Sequence, residues 1–210
     1  LTDRGKAIIR RDAETVTARI LDAAQEEFMR AGYSQANTNR MARDYGISKA
    51  TIFKHFQTKQ ELFEAVITRI AERWHAAIDW PSIEADDPET WLNRFGTSAL
   101  ARLLEPDALF VSRNAITEGW TYPEIRQIWP RLATRPIVEL LASKLSTWAD
   151  AGLIKAESSE NLARAYLDLA FSGEVSRALY AAASAPSQED ISRHVGERTA
   201  LFLRGCSVAS

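Results

Sequence analysis

The sequence is short of the residues that build covalent frameworks and metal centres. Among 210 residues there is one cysteine, Cys206. That excludes an internal disulfide network and a multi-cysteine metal site, and it fits a reducing compartment. The three histidines, His55, His75 and His194, stand in separate segments with no cysteine or carboxylate cluster at ligand spacing, so no metal is expected. Nine glycines and seven prolines are too few for a low-complexity or strand-and-turn-rich chain. No apolar run approaches the roughly 18 residues that span a bilayer, and the N-terminus does not read as a signal peptide. The expectation is a cytoplasmic protein with no membrane partner; the first residue is Leu, which allows a trimmed start. GxSxG, P-loop, GxGxxG and HExxH patterns are missing too. Arg113, Glu118 and Glu174 are isolated acid–base groups, so no catalytic residue and no cofactor is expected, and an enzyme is the weakest reading.

What is present is unevenly distributed. The net charge is −2. Residues 1–60 hold 11 Lys and Arg against 7 Asp and Glu, and the remainder holds 15 against 21. A basic end on an acidic body implies that one end meets a polyanion. Within that end, NTNRMARDYGISKATIFKHF (37–56) reads as two short helices around a tight turn. Asn37 caps the first and Ser48 the second, each offering a side-chain oxygen to free N–H groups of the first turn. Met41 and Ala42 face inward, Gly46 suits a left-handed helix end, and Ile47 packs back on the pair. Ile52 and Phe56 share a face. Lys49, Thr51, Lys54 and His55 project elsewhere as hydrogen-bond donors. This is the layout of a helix-turn-helix DNA reader, and equally of a structural helical hairpin.

The residues around it are more specific. RILDAAQEEFMRAGY followed by MARDYGISKATIFKHFQTKQELF resembles the N-terminal domain of the TetR (tetracycline-repressor-like) family of bacterial regulators, without a gap from Arg19 to Phe63. The resemblance implies an all-α protein: a three-helix helix-turn-helix domain joined by a long fourth helix to a helical ligand-binding and dimerisation domain. It places the DNA-binding domain at 1–58 and the effector and dimer domain at 59–210. Ser48–Phe56 would then enter the major groove of a palindromic operator. Lys49, Ala50 and Thr51 are placed for base edges, and Arg40 for a base or a phosphate. Asn37, Lys54, His55 and Lys59 are placed for phosphates. Lys59 opens the fourth helix, where a cation is unfavourable unless an anion sits at that end. The family usually has Tyr where this chain has Phe53, so one phosphate contact is lost.

Flanking segments follow helical periodicity. Leu1–Arg11, with Arg4, Lys6, Arg10 and Arg11, has little apolar pattern and reads as a mobile tail or a DNA-contacting arm. Helix one covers about 13–30, with Ile20, Ala24 and Phe28 inward beside Leu21, and Asp22, Glu26 and Glu27 outward. Thr58 and Glu61 form a capping box for a helix running to about Ile78, stopped by Trp80-Pro81. An acidic connector, Ser82–Pro88, follows. Helices are expected at about 89–104, 107–119, 159–183 and 188–204, with a kink near Trp129-Pro130 and a longer helix from about Pro136. No strand and no repeat is visible.

The C-terminal region is dense in aromatics, most of which belong to a core. Trp and Tyr combine apolar area with a polar handle, which suits an apolar pocket, and the resemblance implies one. Trp91, Phe95, Phe110, Asn114, Trp120, Trp148 and Phe171 are the candidate lining for a small hydrophobic or aromatic effector. Gly173 inside a helix costs about 1 kcal/mol against Ala and marks close packing. With Leu162, Tyr166, Leu169, Val195 and Phe202 it is the candidate interface of a twofold homodimer, as the resemblance implies; the same helices can equally pack only within the chain. The sequence reads as a ligand-responsive repressor, with a DNA-binding activator or architectural protein lacking a ligand as the alternative.

Overall fold

The protein is described here by a computed structural model covering residues 3–78, 87–180 and 186–207, without the side chains of residues 3–13 and 124. The basic side chains Arg4, Lys6, Arg10 and Arg11, the Trp80-Pro81 stop and most of the acidic connector lie outside the described residues. The chain order is α1 (Asp3–Gln35), α2 (Thr38–Asp44), α3 (Lys49–His55), α4 (Lys59–Ala77), α5 (Pro88–Leu103), α6 (Pro106–Thr117), α7 (Pro123–Trp129), a π-helical turn (Pro130–Thr134), α8 (Arg135–Asp150), α9 (Ser159–Leu179) and α10 (Gln188–Gly205). Among the described residues there is no strand, and no helix is long and apolar enough to cross a membrane.

Two compact units emerge. One comprises residues 1–70 with 114–128; the other comprises 71–113 with 129–210. The first unit is therefore larger than a 1–58 reader: it takes in the front of α4 and the stretch 114–128. Its core is the expected stripe of α1, with Ile20, Ala24 and Phe28 buried against Met41, Ile52, Phe63 and Val66. Phe28 and Phe63 meet edge-on with centroids 4.9 Å apart, a favoured aromatic arrangement. Two expectations for α1 change. The helix extends well before residue 13, and all described residues from Asp3 up to that point belong to it. And Glu27, expected outward, is only 5% exposed.

In the second unit, α5, α8, α9 and α10 surround a core of Leu92, Phe95, Leu141, Leu145, Trp148, Tyr166, Val195 and Phe202. Tyr166 is fully buried, and its hydroxyl donates to the Leu92 carbonyl at 2.9 Å with the Thr199 hydroxyl at 3.2 Å. The expected break near Pro130 takes a defined form. Proline has no N–H and its ring collides with the carbonyl one turn back. The helix widens instead of stopping, and the Arg135 N–H reaches the Pro130 carbonyl across a π turn.

The close approach of α5 to α9 and α10 depends on Gly96. A Cβ there would lie 2.5 Å from the Tyr166 hydroxyl oxygen and 2.7 Å from a Val195 methyl. Gly96→Ala is expected to overpack this crossing and cost about 1–3 kcal/mol despite the better helix propensity of Ala. A lowered urea midpoint at unchanged slope would register it.

Candidate nucleic-acid interface

The reader is assembled around one buried carboxylate. Glu27 of α1 accepts the Asn37 N–H at 2.8 Å and the Arg40 Nε at 2.8 and 3.0 Å, and also binds Arg40 Nη2 and Arg30. Burial alone would raise its pKa. The hydrogen bonds and charges of Arg40, Asn37 and Arg30 outweigh it and hold the carboxyl down at about 2. Arg40, expected at a base or phosphate, is thus engaged by Glu27 of α1. Its guanidinium matches a carboxylate in two-point geometry, and Glu27 would otherwise be a buried, unpaired charge.

The caps form as the sequence requires. The Asn37 carboxamide oxygen accepts from the N–H groups of Asn39 and Arg40 at 2.9 and 3.4 Å. Ser48 Oγ accepts the Thr51 N–H at 3.0 Å and lies 2.7 Å from the Thr51 hydroxyl. Gly46 takes φ +61°, and Ile47 N–H closes the turn on the Ala42 carbonyl at 2.9 Å. On α3, Ile52 is buried, while Lys49, Ala50, Phe53 and Lys54 are exposed. The Lys49 ammonium lies 5.8 Å from the centre of the Phe53 ring.

Two expected phosphate donors serve inside the unit. His55 Nδ1 is 3.1 Å from the Thr17 hydroxyl, tying α3 to α1. Lys59 Nζ donates to the Ser34 carbonyl at 2.9 Å and sits 4.9 Å from the centre of the Tyr33 ring. The charge is unfavourable at the start of its own helix but favourable against the carbonyl end of α1. Partial burial lowers the Lys59 pKa below the ordinary lysine value.

Gly32 creates a further requirement. Its φ of +71° and ψ of 176° interrupt α1, a conformation open to glycine, and the next N–H groups need outside acceptors. The Asn114 side-chain oxygen accepts the Tyr33 N–H at 3.1 Å; Glu118 accepts the Ser34 N–H at 3.2 Å and its hydroxyl at 3.0 Å. The rings of Tyr33 and Tyr122 meet 5.0 Å apart. Asn114, expected in a ligand pocket, therefore closes the end of α1.

The remaining candidates also move. Trp91, Phe95, Trp148 and Phe171 come together, with Trp91 5.2 Å from Phe95 and 5.5 Å from Trp148, but they fill the second unit's core by packing on one another. Phe110 is buried and Trp120 is 86% exposed in the turn after α6, so seven residues do not form one lining. Of the interface candidates, Tyr166, Val195 and Phe202 are buried within the protomer, Leu162 and Leu169 pack partly against its core, and only Gly173 is open to solvent. The alternation that put them together on α9 and α10 reports the inner face of each helix, not an outer one.

A single cap-locked helix, with two lysines on its outer side and a basic unit behind it, is a DNA-reading arrangement. Comparison with known proteins agrees. The sequence profile of "bacterial regulatory proteins, tetR family" matches residues 20–66, and that of "AefR-like transcriptional repressor, C-terminal domain" matches 90–205. The chain belongs to the TetR family. It is similar to the HTH-type transcriptional regulator YvkB of Bacillus subtilis strain 168, at 27% identity over 90% of this chain and 96% of that one. The HTH-type transcriptional repressor SCO4008 of Streptomyces coelicolor is 36% identical, over 40% of this chain and 42% of its own length. Among solved structures, a TetR-family regulator of Mesorhizobium loti superposes with TM-score 0.82 at 22% identity, covering 93% of this chain and 98% of that one. The flavonoid-responsive regulator FrrA gives 0.80 at 20% identity, covering 94% and 100%. The TetR-family chain is thus a helix-turn-helix DNA-binding transcription regulator. Charge made Glu27 read as solvated, although its spacing, seven residues after Ile20 and four after Ala23, places it on the buried face of α1.

Glu27 gives the reader an acid limit. Its folded pKa lies below the ordinary value of 4.5, so its stabilisation is complete above that value and is lost as pH falls from about 4.5 through about 2. The shift corresponds to a contribution on the order of 3 kcal/mol. Urea titrations at pH 5 and pH 2.5 should show a smaller stability difference for Glu27→Gln than for the wild type. Equal differences would remove Glu27 from the acid response.

Proposed function

We propose that this TetR-family regulator is a repressor that binds a palindromic operator as a twofold homodimer and leaves it on binding a small apolar or aromatic effector. The observation that carries the DNA half is the solvent face of α3: Lys49, Ala50, Phe53 and Lys54 stand outward while Ile52, the Ser48 cap and the His55–Thr17 contact hold the helix behind them. In this reading Lys49 and Ala50 meet base edges, Ala50 against a thymine methyl, and Lys54 meets a phosphate. Ser48 and Thr51 fix the start of the helix. Asn37, Arg40 and Lys59 act chiefly by holding the frame.

The effector half rests on the second unit. Trp74 Nε1 is buried without a hydrogen-bond partner among the described residues. Its ring lies 5.1 Å from that of His75 and 6.3 Å from that of Trp129, next to the π turn, where His75 Nε2 lies 3.2 Å from the Leu132 carbonyl. A buried indole N–H with aromatic neighbours and a widened helix turn suits an aromatic ligand bearing an acceptor oxygen. α6 spans both units, and its Asn114, with Glu118 just after it, holds the end of α1. It is therefore the proposed route, with α4, by which an effector changes the setting of α3. For the dimer, the outer strip of α9 (Ala165, Gly173) and its C-cap Tyr180, with Leu201 of α10, is the proposed contact. Tyr180 is 80% exposed and Leu201 45%, and exposed apolar side chains on adjoining helices favour association. The direct packing of Trp91, Phe95, Trp148 and Phe171 favours the second reading, a DNA binder without a ligand.

Selection of bound DNA from a random pool supplies the operator for the tests. Lys49→Ala is expected to weaken specific binding by about 1–3 kcal/mol and relax base preference at one position. Lys54→Ala should weaken all sequences alike and flatten the salt dependence by about one unit of slope. Unchanged affinity in both would place the DNA contact elsewhere.

The effector half is tested by coupling. A flavonoid panel should change tryptophan fluorescence saturably and lower operator affinity over the same range, and operator should weaken the ligand by the same factor. Asn114→Ala is expected to keep ligand binding while reducing that factor. A panel without any ligand that moves both signals leaves the ligand-free reading in place.

A further inference from the structure

The second unit carries a cavity that neither the DNA reader nor the aromatic core uses. It is an open groove of about 630 Å³ between α5 and α10, lined by residues that include Asn93, Arg94, Thr97, Arg102, Ser192 and Gly196. Its size falls within the usual range for small-molecule sites. Its chemistry differs from the aromatic region: the lining brings two guanidiniums, hydroxyls and side-chain amides, and among the described residues no carboxylate lines it. Arg94 and Arg102 are eight residues apart on one helix, about 12 Å along its axis at 1.5 Å per residue.

Two observations mark the groove as more than a gap between helices. Asn93 Oδ1 and Arg102 Nε are buried and have no hydrogen-bond partner among the described residues. Buried polar atoms are nearly always satisfied, so two residues of the lining, about 13 Å apart along α5, leave an acceptor and a donor without partners, although Arg102 Nη1 binds Glu105. Then there is Gly196. It lies in the middle of α10 at a cost of about 1 kcal/mol relative to Ala. No positive φ requires it, and no close packing does, since a Cβ there would meet nothing within 4 Å. This contrasts with Gly96 on the facing helix, which the crossing needs. Glycine at 196 contributes space, and the space is groove.

We propose that this groove binds a small polyhydroxylated anion, a sugar acid or sugar phosphate, whose carboxylate or phosphate is held by Arg102. Its hydroxyls donate to Asn93 Oδ1 and exchange hydrogen bonds with Thr97 and Ser192. An anion supplies the acceptor that Arg102 Nε lacks, with charge-assisted geometry. A hydroxyl supplies the donor that Asn93 lacks. A purely apolar molecule would leave both atoms unpaired and so is disfavoured. The site is independent of the aromatic effector region and of the operator.

The test uses the full chain without DNA. Calorimetric titration with gluconate and with glucose 6-phosphate is expected to give saturable binding to at least one of them, and the two arms separate carboxylate from phosphate. Sorbitol, which has the hydroxyls without the charge, and inorganic phosphate, which has the charge without the hydroxyls, should each bind at least about tenfold more weakly. Gly196→Leu fills the open space, and Ser192→Asp places a negative charge in it. Each should abolish binding while circular dichroism and the urea midpoint show a folded chain. No isotherm with either sugar anion, equal binding of sorbitol or phosphate, or binding that survives both substitutions would overturn the proposal. So would a change in oligomeric state in Gly196→Leu, which would make the groove a surface between protein copies.

Discussion

A charge that cannot stay alone organises the DNA-binding unit. Glu27 is buried, and a buried carboxylate is tolerated only when it is paired and hydrogen-bonded. Arg40 supplies the pair from α2, and the Asn37 N–H supplies a further bond from the residue that caps α2. One side chain of α1 therefore fixes both the position and the starting point of the next helix. The position of α3 follows, because only one residue, Ile47, separates the Gly46 turn from the Ser48 cap, and Ile52 buries against the same core.

A second demand arises at the other end of α1. Interrupting a helix with glycine frees donors that must find acceptors, and here the acceptors are Asn114 and Glu118, some 80 positions further along the chain. Lys59 answers the matching need on the acceptor side by donating to the Ser34 carbonyl. Residues that look available for ligand or DNA when read one by one are thus committed to closing a helix end. Polar groups near a break in regular structure are first explained by the backbone they satisfy.

The readable part of this protein was local. Caps at Asn37 and Ser48, the Gly46 turn, the α1 stripe and the interruption at Pro130 all depend on neighbours within a few residues, and each appears where the sequence places it. The unread part depended on distant partners. Glu27 lies seven residues after Ile20 and four after Ala23, so its phase is inward; its charge read as outward, and the partner that lets a carboxylate stay there, Arg40, is on another helix. Tyr166, Val195 and Phe202 have the spacing of a helix face, but spacing does not say whether that face meets its own protomer or another. Trp120, read as lining, is held out in solvent by a turn whose Gly119 sits against the Ala115 carbonyl. Aromatic content predicted a hydrophobic interior correctly and a cavity within it poorly, because aromatics also fill the space they enclose.

The second helix of the helix-turn-helix, Lys49–His55, has seven residues. A peptide of that length has almost no helical order in water; its shape is imposed by Ile52, the Ser48 cap and the contact from His55 to Thr17. The residues that hold it and the residues that face outward are different ones. Exchanging Lys49, Ala50, Phe53 or Lys54 therefore disturbs none of the caps or buried contacts, and exposed substitutions of this kind usually change stability by less than about 0.5 kcal/mol. On the proposed assignment of these side chains to DNA, sequence preference can change by mutation without passing through an unfolded intermediate, while the frame set by Glu27, Arg40, Ser48 and Ile52 stays as it is.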